Sequence, residues 1–299
     1  MPRAVWLEAA LNGAWTTRLQ PNVPVLIDDV VAEGIACAEA GAAVIHVHAY
    51  DQERGVQNDD WQVYARIIEG IRARVDTIVY PTVPFPGADR SAEGVSAKQR
   101  FAHTAELARR GLIEWAVVDP GSVNLARFDE IAAGGYGSVY ANPPDHIEEG
   151  VTLAARYGFH PSYAIYEPGF TRLGAALARA VPRLPQPIYR LMFSAAYAWG
   201  LPPEPYALET HLRILADEAG AVPWMAAGLG VDILPLAPLA LARGGHLRVG
   251  LEDVPLGAAE TNIDLVRKGV AAIEAAGGRP ATAAEIRAAL VPDAAVAGG

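Results

Sequence analysis

Cysteine is nearly absent. The chain has one, Cys37, so no internal disulfide can form and a reducing compartment suits it. It falls in an apparent helix (Val30 to Cys37), where a thiol reads as a small buried hydrophobe rather than a nucleophile. Positive charge is scarce as well. Twenty-four Lys and Arg against 34 Asp and Glu leave a formal charge of −10 and a pI near 5.2. That argues against a general binder of nucleic acid or of membrane surfaces, and an anionic ligand would need locally placed arginines. No apolar run is long and charge-free enough to span a bilayer. The opening Met1-Pro2-Arg3-Ala4-Val5-Trp6 lacks the apolar core of a signal peptide, so a soluble cytoplasmic protein is expected. A glycine-rich phosphate turn is missing too. Asn12-Gly13-Ala14, after the first apolar run, is a poor match for one, which weighs against an open dinucleotide-binding sheet.

What is present is a regular alternation of short apolar runs and helix-like stretches. Strands are expected at 5–11, 42–48, 77–83, 114–118, 162–166, 188–193, 223–227 and 246–251. The segments Pro84 to Ala97 and Val123 to Pro144 read as irregular. Helices over Asn262 to Ala275 and Thr282 to Leu290 close the chain, the second opened by a capping box between Thr282 and Glu285. The tail from Ala294 to Gly299 is expected to fray. Strands apolar on both faces imply a parallel sheet covered by helices. Eight such units in 299 residues predict one (β/α)8 TIM barrel domain over 1–299 with extra terminal helices, ahead of an open doubly wound sheet.

The stretch that organises this barrel is Val44-Ile45-His46-Val47-His48. Side chains alternate along a strand, so His46 and His48 point to one side. In such a barrel the reactive groups sit at the C-terminal strand ends. The end of the eighth strand offers Arg248, Gly250 and Glu252 on one parity, and Glu252 can approach both histidines across the mouth. Two His and one carboxylate make a catalytic zinc set with an open position; divalent iron or manganese would also be tolerated. The competing readings are hydrogen-bonded core histidines and a structural Arg248–Glu252 ion pair. His103, His146 and His211 fall on expected helices and read as surface residues, and His246 starts a strand at the end away from the metal.

These residues carry a resemblance. The chain resembles the β-keto acid cleavage enzyme family, which includes 3-keto-5-aminohexanoate cleavage enzyme. The likeness runs through Asn12-Gly13-Ala14, Glu39-Ala40-Gly41-Ala42, His46-Val47-His48, Gly121-Ser122-Val123-Asn124, Asn142-Pro143, Tyr166-Glu167 and Ala227-Gly228-Leu229-Gly230. It ends in Gly244 to Asp253, followed by Asn262 and Leu265-Val266. The resemblance implies a zinc-dependent (β/α)8 barrel that forms homo-oligomers (a dimer or tetramer). The implied reaction takes a β-keto acid and acetyl-CoA to a new acyl-CoA and acetoacetate. It implies His46, His48 and Glu252 as metal ligands, Arg248 orienting the anionic substrate, and Asp253 as general base. Thr82 falls at a substrate-contacting hydroxyl, and Ser122 and Asn142 at matching polar positions.

The departures point to an altered substrate. Trp15 and Ala164 stand where the family has glutamates, Tyr50 where it has an arginine, Val117 where it has a hydroxyl residue, and Val254 where it has an asparagine. Losing two carboxylates argues against a cationic amine tail. Trp15 and Tyr50 suggest walls for an apolar or aromatic one. Two rival functions remain. A metal-dependent hydrolase is disfavoured because 188–193 carries no histidine. A non-catalytic binding protein is motivated by Ala164 and Val117.

Overall fold

The computed structural model describes residues 2–51, 53–54, 56–84 and 95–291. Its centre is an eight-stranded parallel sheet rolled into a nearly closed barrel. The barrel strands are β1 (Leu7–Ala10), β2 (Val44–Val47), β3 (Ile78–Pro81) and β4 (Trp115–Val117). They continue as β5 (His160–Ile165), β6 (Ile188–Phe193), β7 (Trp224–Gly228) and β8 (His246–Val249). Hydrogen bonding runs β3-β2-β1-β8-β7-β6-β5-β4, and β3 lies beside β4 to bring the ring round. No helix among the described residues is long and apolar enough to cross a membrane.

Each strand is buried on both faces, and the two faces do different work. Outward residues such as Ile45, Val47 and Leu191 meet the apolar faces of the surrounding helices, and helix Trp61–Arg72 turns Ile67, Ile68 and Ile71 inward. Inward residues fill the barrel in layers. At the base, His246 stacks on Trp6 with ring centroids 4.2 Å apart, and accepts the Trp6 backbone N–H at Nδ1. Trp115 packs beside them, 6.0 Å from Trp6. Above this aromatic floor lies a charged layer of Glu8, Arg190 and Arg248, all buried, with Tyr80 among them. The C-terminal ends of the strands lie above that.

Several expectations need correcting. The eighth strand stops at Val249 because Gly250 adopts φ +144°, which breaks the extended run. The fifth begins earlier than expected and includes His160. The segment from Val123 is not irregular. Strands Val123–Leu125 and Ser138–Tyr140 pair as an antiparallel hairpin around helix Phe128–Ala132. Three-residue strands separated by glycines show no period to read. Arg3–Val5 likewise pairs with Gly278–Pro280. The capping box at Thr282 is present, with Glu285 reaching back to the cap N–H. His103, His146 and His211 are not surface residues; all three are buried. His103 Nε2 lies 2.8 Å from the Thr82 carbonyl, His146 Nδ1 accepts from Arg100, and His211 stands edge-on to Phe193. Each occupies a packed side of its helix, where histidine passes for a polar break in an apolar stripe. Most of the expected Pro84–Ala97 loop and the tail from Ala294 lie outside the described residues.

Candidate metal centre and active-site cavity

His46 and His48 emerge on one side of β2, and Glu252 meets them from the turn after β8. Nε2 of His46 and of His48 each lie 3.5 Å from a Glu252 carboxylate oxygen, and one donor atom from each residue falls within a 4.8 Å cluster. Donors held about 2 Å from one tetrahedral ion stand about 3.4 Å apart, so the set has the right size for a metal. Two further observations agree. Among the described residues, the buried His48 Nε2 and Glu252 Oε2 have no hydrogen-bond partner, a costly arrangement unless something else supplies it. Glu8, Glu252 and Asp253 share the one guanidinium of Arg248, an excess of acceptors that a divalent cation at Glu252 would relieve.

The neighbours orient the three side chains. The Asn12 side chain takes the His48 backbone N–H and returns a hydrogen bond to its carbonyl, fixing where the strand ends. His48 Nδ1 lies 3.0 Å from Gln57 Oε1. The Gln57 amide donates to Asp59, which can only accept, so its oxygen faces the imidazole. The His48 proton therefore sits on Nδ1 and the Nε2 lone pair faces the cluster. Burial pushes the His46 pKa well down, outweighing the pull of Glu252, so this ring is neutral. Burial opposes ionisation of Glu252, yet the Arg248 guanidinium beside it holds its carboxyl well below the usual range.

Two glycines make room. Gly13, at φ +59°, brings the β1 loop against Glu252: a Cβ there would come within 2.7 Å of Glu252 Cγ and 3.0 Å of the Trp15 ring. Trp15 Nε1 donates to the Glu252 carbonyl. At Gly250 a Cβ would strike the Ala10 carbonyl at 2.1 Å, so only glycine lets the chain turn there and lets the Glu252 N–H reach that same carbonyl.

Arg248 and Asp253 stand one layer behind Glu252. The guanidinium holds both Asp253 oxygens at 2.9 and 2.8 Å and contacts Glu252 at 2.8 Å. Burial lifts the Asp253 carboxyl to about 6 despite that cation. The cavity in front measures about 530 Å³. His46, His48, Thr82, Asp119, Arg190 and Glu252 contribute its polar wall; Trp15, Leu125, Tyr136, Tyr140, Tyr166 and Tyr197 contribute much of the rest. Val117 and Ala164 also face it.

Other expected contacts lie farther back. The Tyr50 hydroxyl sits 2.5 and 2.6 Å from the carbonyls of Gly13 and Trp15, so it pins the Trp15 loop. Ser122 Oγ accepts the Asn142 N–H, and Asn142 Nδ2 donates to Gly121, which fastens the foot of the hairpin. Glu8, Gln57, Asp119 and Arg190 are absent from the sequence reading. Glu8 and Arg190 had a signal: each is a lone charge inside an apolar strand, costly to bury without a partner. Asp119 was hidden in what reads as a turn, Asp119-Pro120-Gly121.

A family model described as beta-keto acid cleavage enzyme matches residues 4–291. The chain is 27% identical to the 3-dehydrocarnitine:acetyl-CoA trimethylamine transferase of Rhizobium meliloti (strain 1021), over 96% of each chain. It is 27% identical to the 3-oxoadipate:acetyl-CoA acetyltransferase of Cupriavidus necator, over 91% of this chain and 89% of that one. It is 25% identical to a 3-keto-5-aminohexanoate cleavage enzyme of Fusobacterium nucleatum subsp. nucleatum, over 83% and 81%. Among solved structures, apo ObcA superposes with a TM-score of 0.70 at 18% identity, over 90% of this chain and 65% of that one; the chain thus spans a little under two thirds of ObcA. The structural likeness bears on the fold, and the sequence match on the family: the chain belongs to the β-keto acid cleavage enzymes.

Proposed function

We propose that the protein is a zinc-dependent acyltransferase that cleaves a carbon–carbon bond, converting a β-keto acid and acetyl-CoA into a new acyl-CoA and acetoacetate. The observation that carries this reading is the His46–His48–Glu252 cluster backed by the Arg248–Asp253 pair, in a chain of this family. A zinc ion held by His46, His48 and Glu252 would supply Lewis acidity toward the substrate's keto oxygen. Asp253 is the base this reading assigns for the methylene between the keto and carboxyl groups. It stands behind Glu252 with both oxygens on Arg248, so it acts once that pair opens toward the cavity, and a carboxyl lifted to about 6 suits a base working near neutrality. Arg248 keeps that carboxylate aimed and offsets negative charge that develops beside it. The methylene carbon then bonds to the acetyl carbonyl as the thioester carbon–sulfur bond breaks and frees the CoA thiolate. The thiolate adds to the original keto carbon, the bond from that carbon to the former methylene breaks, and the proton returns from Asp253 to the former methylene carbon, so that acyl-CoA and acetoacetate leave.

Thr82 offers a hydroxyl on the cavity wall for the substrate's head. Trp15, Tyr136 and Tyr197 support an apolar or aromatic tail. Tyr50, Ser122 and Asn142 serve binding by holding the loops that carry this wall. Acetyl-CoA enters by kinship: two of the relatives above carry it in their names. We also take the chain to self-associate. Phe128, Ile131, Tyr136 and Val139 lie exposed on one excursion, as expected of an interface between copies, and light scattering would read the assembly size. A cytoplasmic location fits the single buried thiol.

The test is an assay of zinc-loaded protein against a panel of β-keto acids, with and without acetyl-CoA, read by mass spectrometry. New acyl-CoA together with acetoacetate is expected. Glu252→Ala should lose metal and turnover, and Asp253→Asn should keep metal and lose turnover. Hydrolysis without CoA, or bound metal with no product from any acid, would overturn the reading.

A further inference from the structure

The cavity holds a guanidinium that the chemistry above does not use. Arg190 lies in the middle of β6, in register with Ala164 on β5 and Met225 on β7, and is 3% exposed. Its side chain faces the cavity. Its protein partners do not satisfy it. Nη2 donates to the Ser162 carbonyl at 3.3 Å and stands 3.8 Å from Asp119 Oδ1, beyond hydrogen-bond reach. Nε has no partner among the described residues. A guanidinium carries five N–H donors; among the described residues Nε of Arg190 has no acceptor and Nη2 has one long bond.

The surroundings keep it that way. Asp119, the nearest carboxylate, is committed elsewhere: Oδ1 accepts the Ala164 N–H at 2.7 Å, and Oδ2 accepts the Tyr140 hydroxyl at 2.8 Å. Ala164, beside Arg190 in the sheet, brings only a methyl. Val117, also on the wall, brings no polar atom. A buried cation keeps unmet donors at a cavity wall where a ligand supplies the acceptors. In an eight-stranded ring β6 stands across from β2, so Arg190 and the histidine pair approach the cavity from opposite sides.

We infer that Arg190 is the carboxylate-recognition residue of this cavity, donating to the β-keto acid's carboxylate while the acid's keto group lies toward His46, His48 and Glu252. The planar fork of a guanidinium matches a carboxylate better than a single-point anion. This inference rests on the proposed function for the identity of the ligand, but its test needs neither turnover nor acetyl-CoA.

The probes are acetoacetate and its uncharged methyl ester, titrated calorimetrically into zinc-loaded protein. They share the keto group and differ in the carboxylate charge. Arg190→Gln should weaken acetoacetate about ten- to a hundred-fold, the range for a charge-assisted hydrogen bond, and leave the ester unchanged. Arg190→Lys should fall between. Ala164→Glu should mimic Arg190→Gln, because the new carboxylate would cover the guanidinium; it carries the test if Arg190→Gln does not fold. Equal losses for acid and ester, no loss for either, or loss of metal in Arg190→Lys would overturn the inference. Discriminating binding without turnover would sink the proposed reaction and keep the role of Arg190.

Discussion

Arg248 and Glu8 face each other across β8 and β1, Nη1 to Oε1 at 2.9 Å, and neither side chain is exposed. Tyr80 donates to the same Glu8 oxygen at 2.7 Å. Glu8 thus anchors one end of a guanidinium whose other edge holds Asp253. Removing one partner of a buried pair leaves the other uncompensated. Glu8→Ala should therefore cost about 3 to 5 kcal/mol of stability, and Glu8→Gln, which keeps an acceptor for Tyr80, should cost less. Urea unfolding of the metal-free protein measures both; a loss below about 1 kcal/mol in Glu8→Ala would contradict the pairing.

Gly13 is where a single methyl should reach the metal. A Cβ at this position meets Glu252 Cγ and the Trp15 ring, and the positive φ disfavours any side chain. Gly13→Ala should lower zinc affinity tenfold or more while circular dichroism shows the barrel intact. Competition with a chromophoric chelator reads the affinity, and unchanged binding would refute the contact.

Gln57 should matter to the metal without touching it. It fixes the proton of His48 on Nδ1 and so keeps Nε2 available. Loss of such a supporting partner typically costs about 10- to 100-fold in metal affinity. Gln57→Leu should fall in that range, and Gln57→Glu, which still accepts from Nδ1, should recover most of it.

In the metal-free protein the buried histidines should lose stability as acid is added, against the opposite contribution of Asp253, whose carboxyl, lifted to about 6 by burial, takes up its proton in the fold first. Burial lowers the pKa of His46 well below its ordinary value, that of His211 to about 4, and that of His246 to about 3, where the nearby Arg3 adds to the effect. These rings stay neutral in the fold and bind protons once unfolded. Their contribution is complete above about pH 6.5 and is lost as pH falls from there toward the folded values. His246→Gln removes one of them far from the metal site. The plot of unfolding free energy against pH, between 6.5 and 4, should flatten by up to about 1.4 kcal/mol per unit in this variant. An unchanged slope would show that His246 is already protonated in the fold.

The ring of strands was legible because each is a short apolar run followed by an amphipathic helix, and that alternation survives in any one sequence. The His46–His48–Glu252 cluster was legible because strand parity is a local rule: it places His46 and His48 together with no knowledge of the rest. The Glu252 contact was reached by the same rule, although the structure delivers it through a turn at Gly250 rather than through continued strand. The hairpin from Val123 stayed hidden because its pairing is made by backbone groups and its strands are too short to alternate. Glu8 and Arg190 were passed over because pattern reading treats a lone charge in an apolar strand as noise. Their partners come from strands far away in sequence, and only the closed ring brings them together.

Arg190 and Arg248 stand on barrel strands, Asp119 just past the end of β4, and Glu252 on the turn after β8, whereas Leu125, Tyr136 and Tyr140 all belong to one contiguous excursion between β4 and β5. Its roots are tied down by Asp119 to Tyr140 and by Ser122 to Asn142, and its near edge by backbone bonds to the loop after β6. Such an arrangement behaves as a cassette. Evolution, or an engineer, can exchange the residues between those ties to admit a different acyl chain while the barrel keeps its reactive constellation, so a change of diet need not pass through a loss of catalysis.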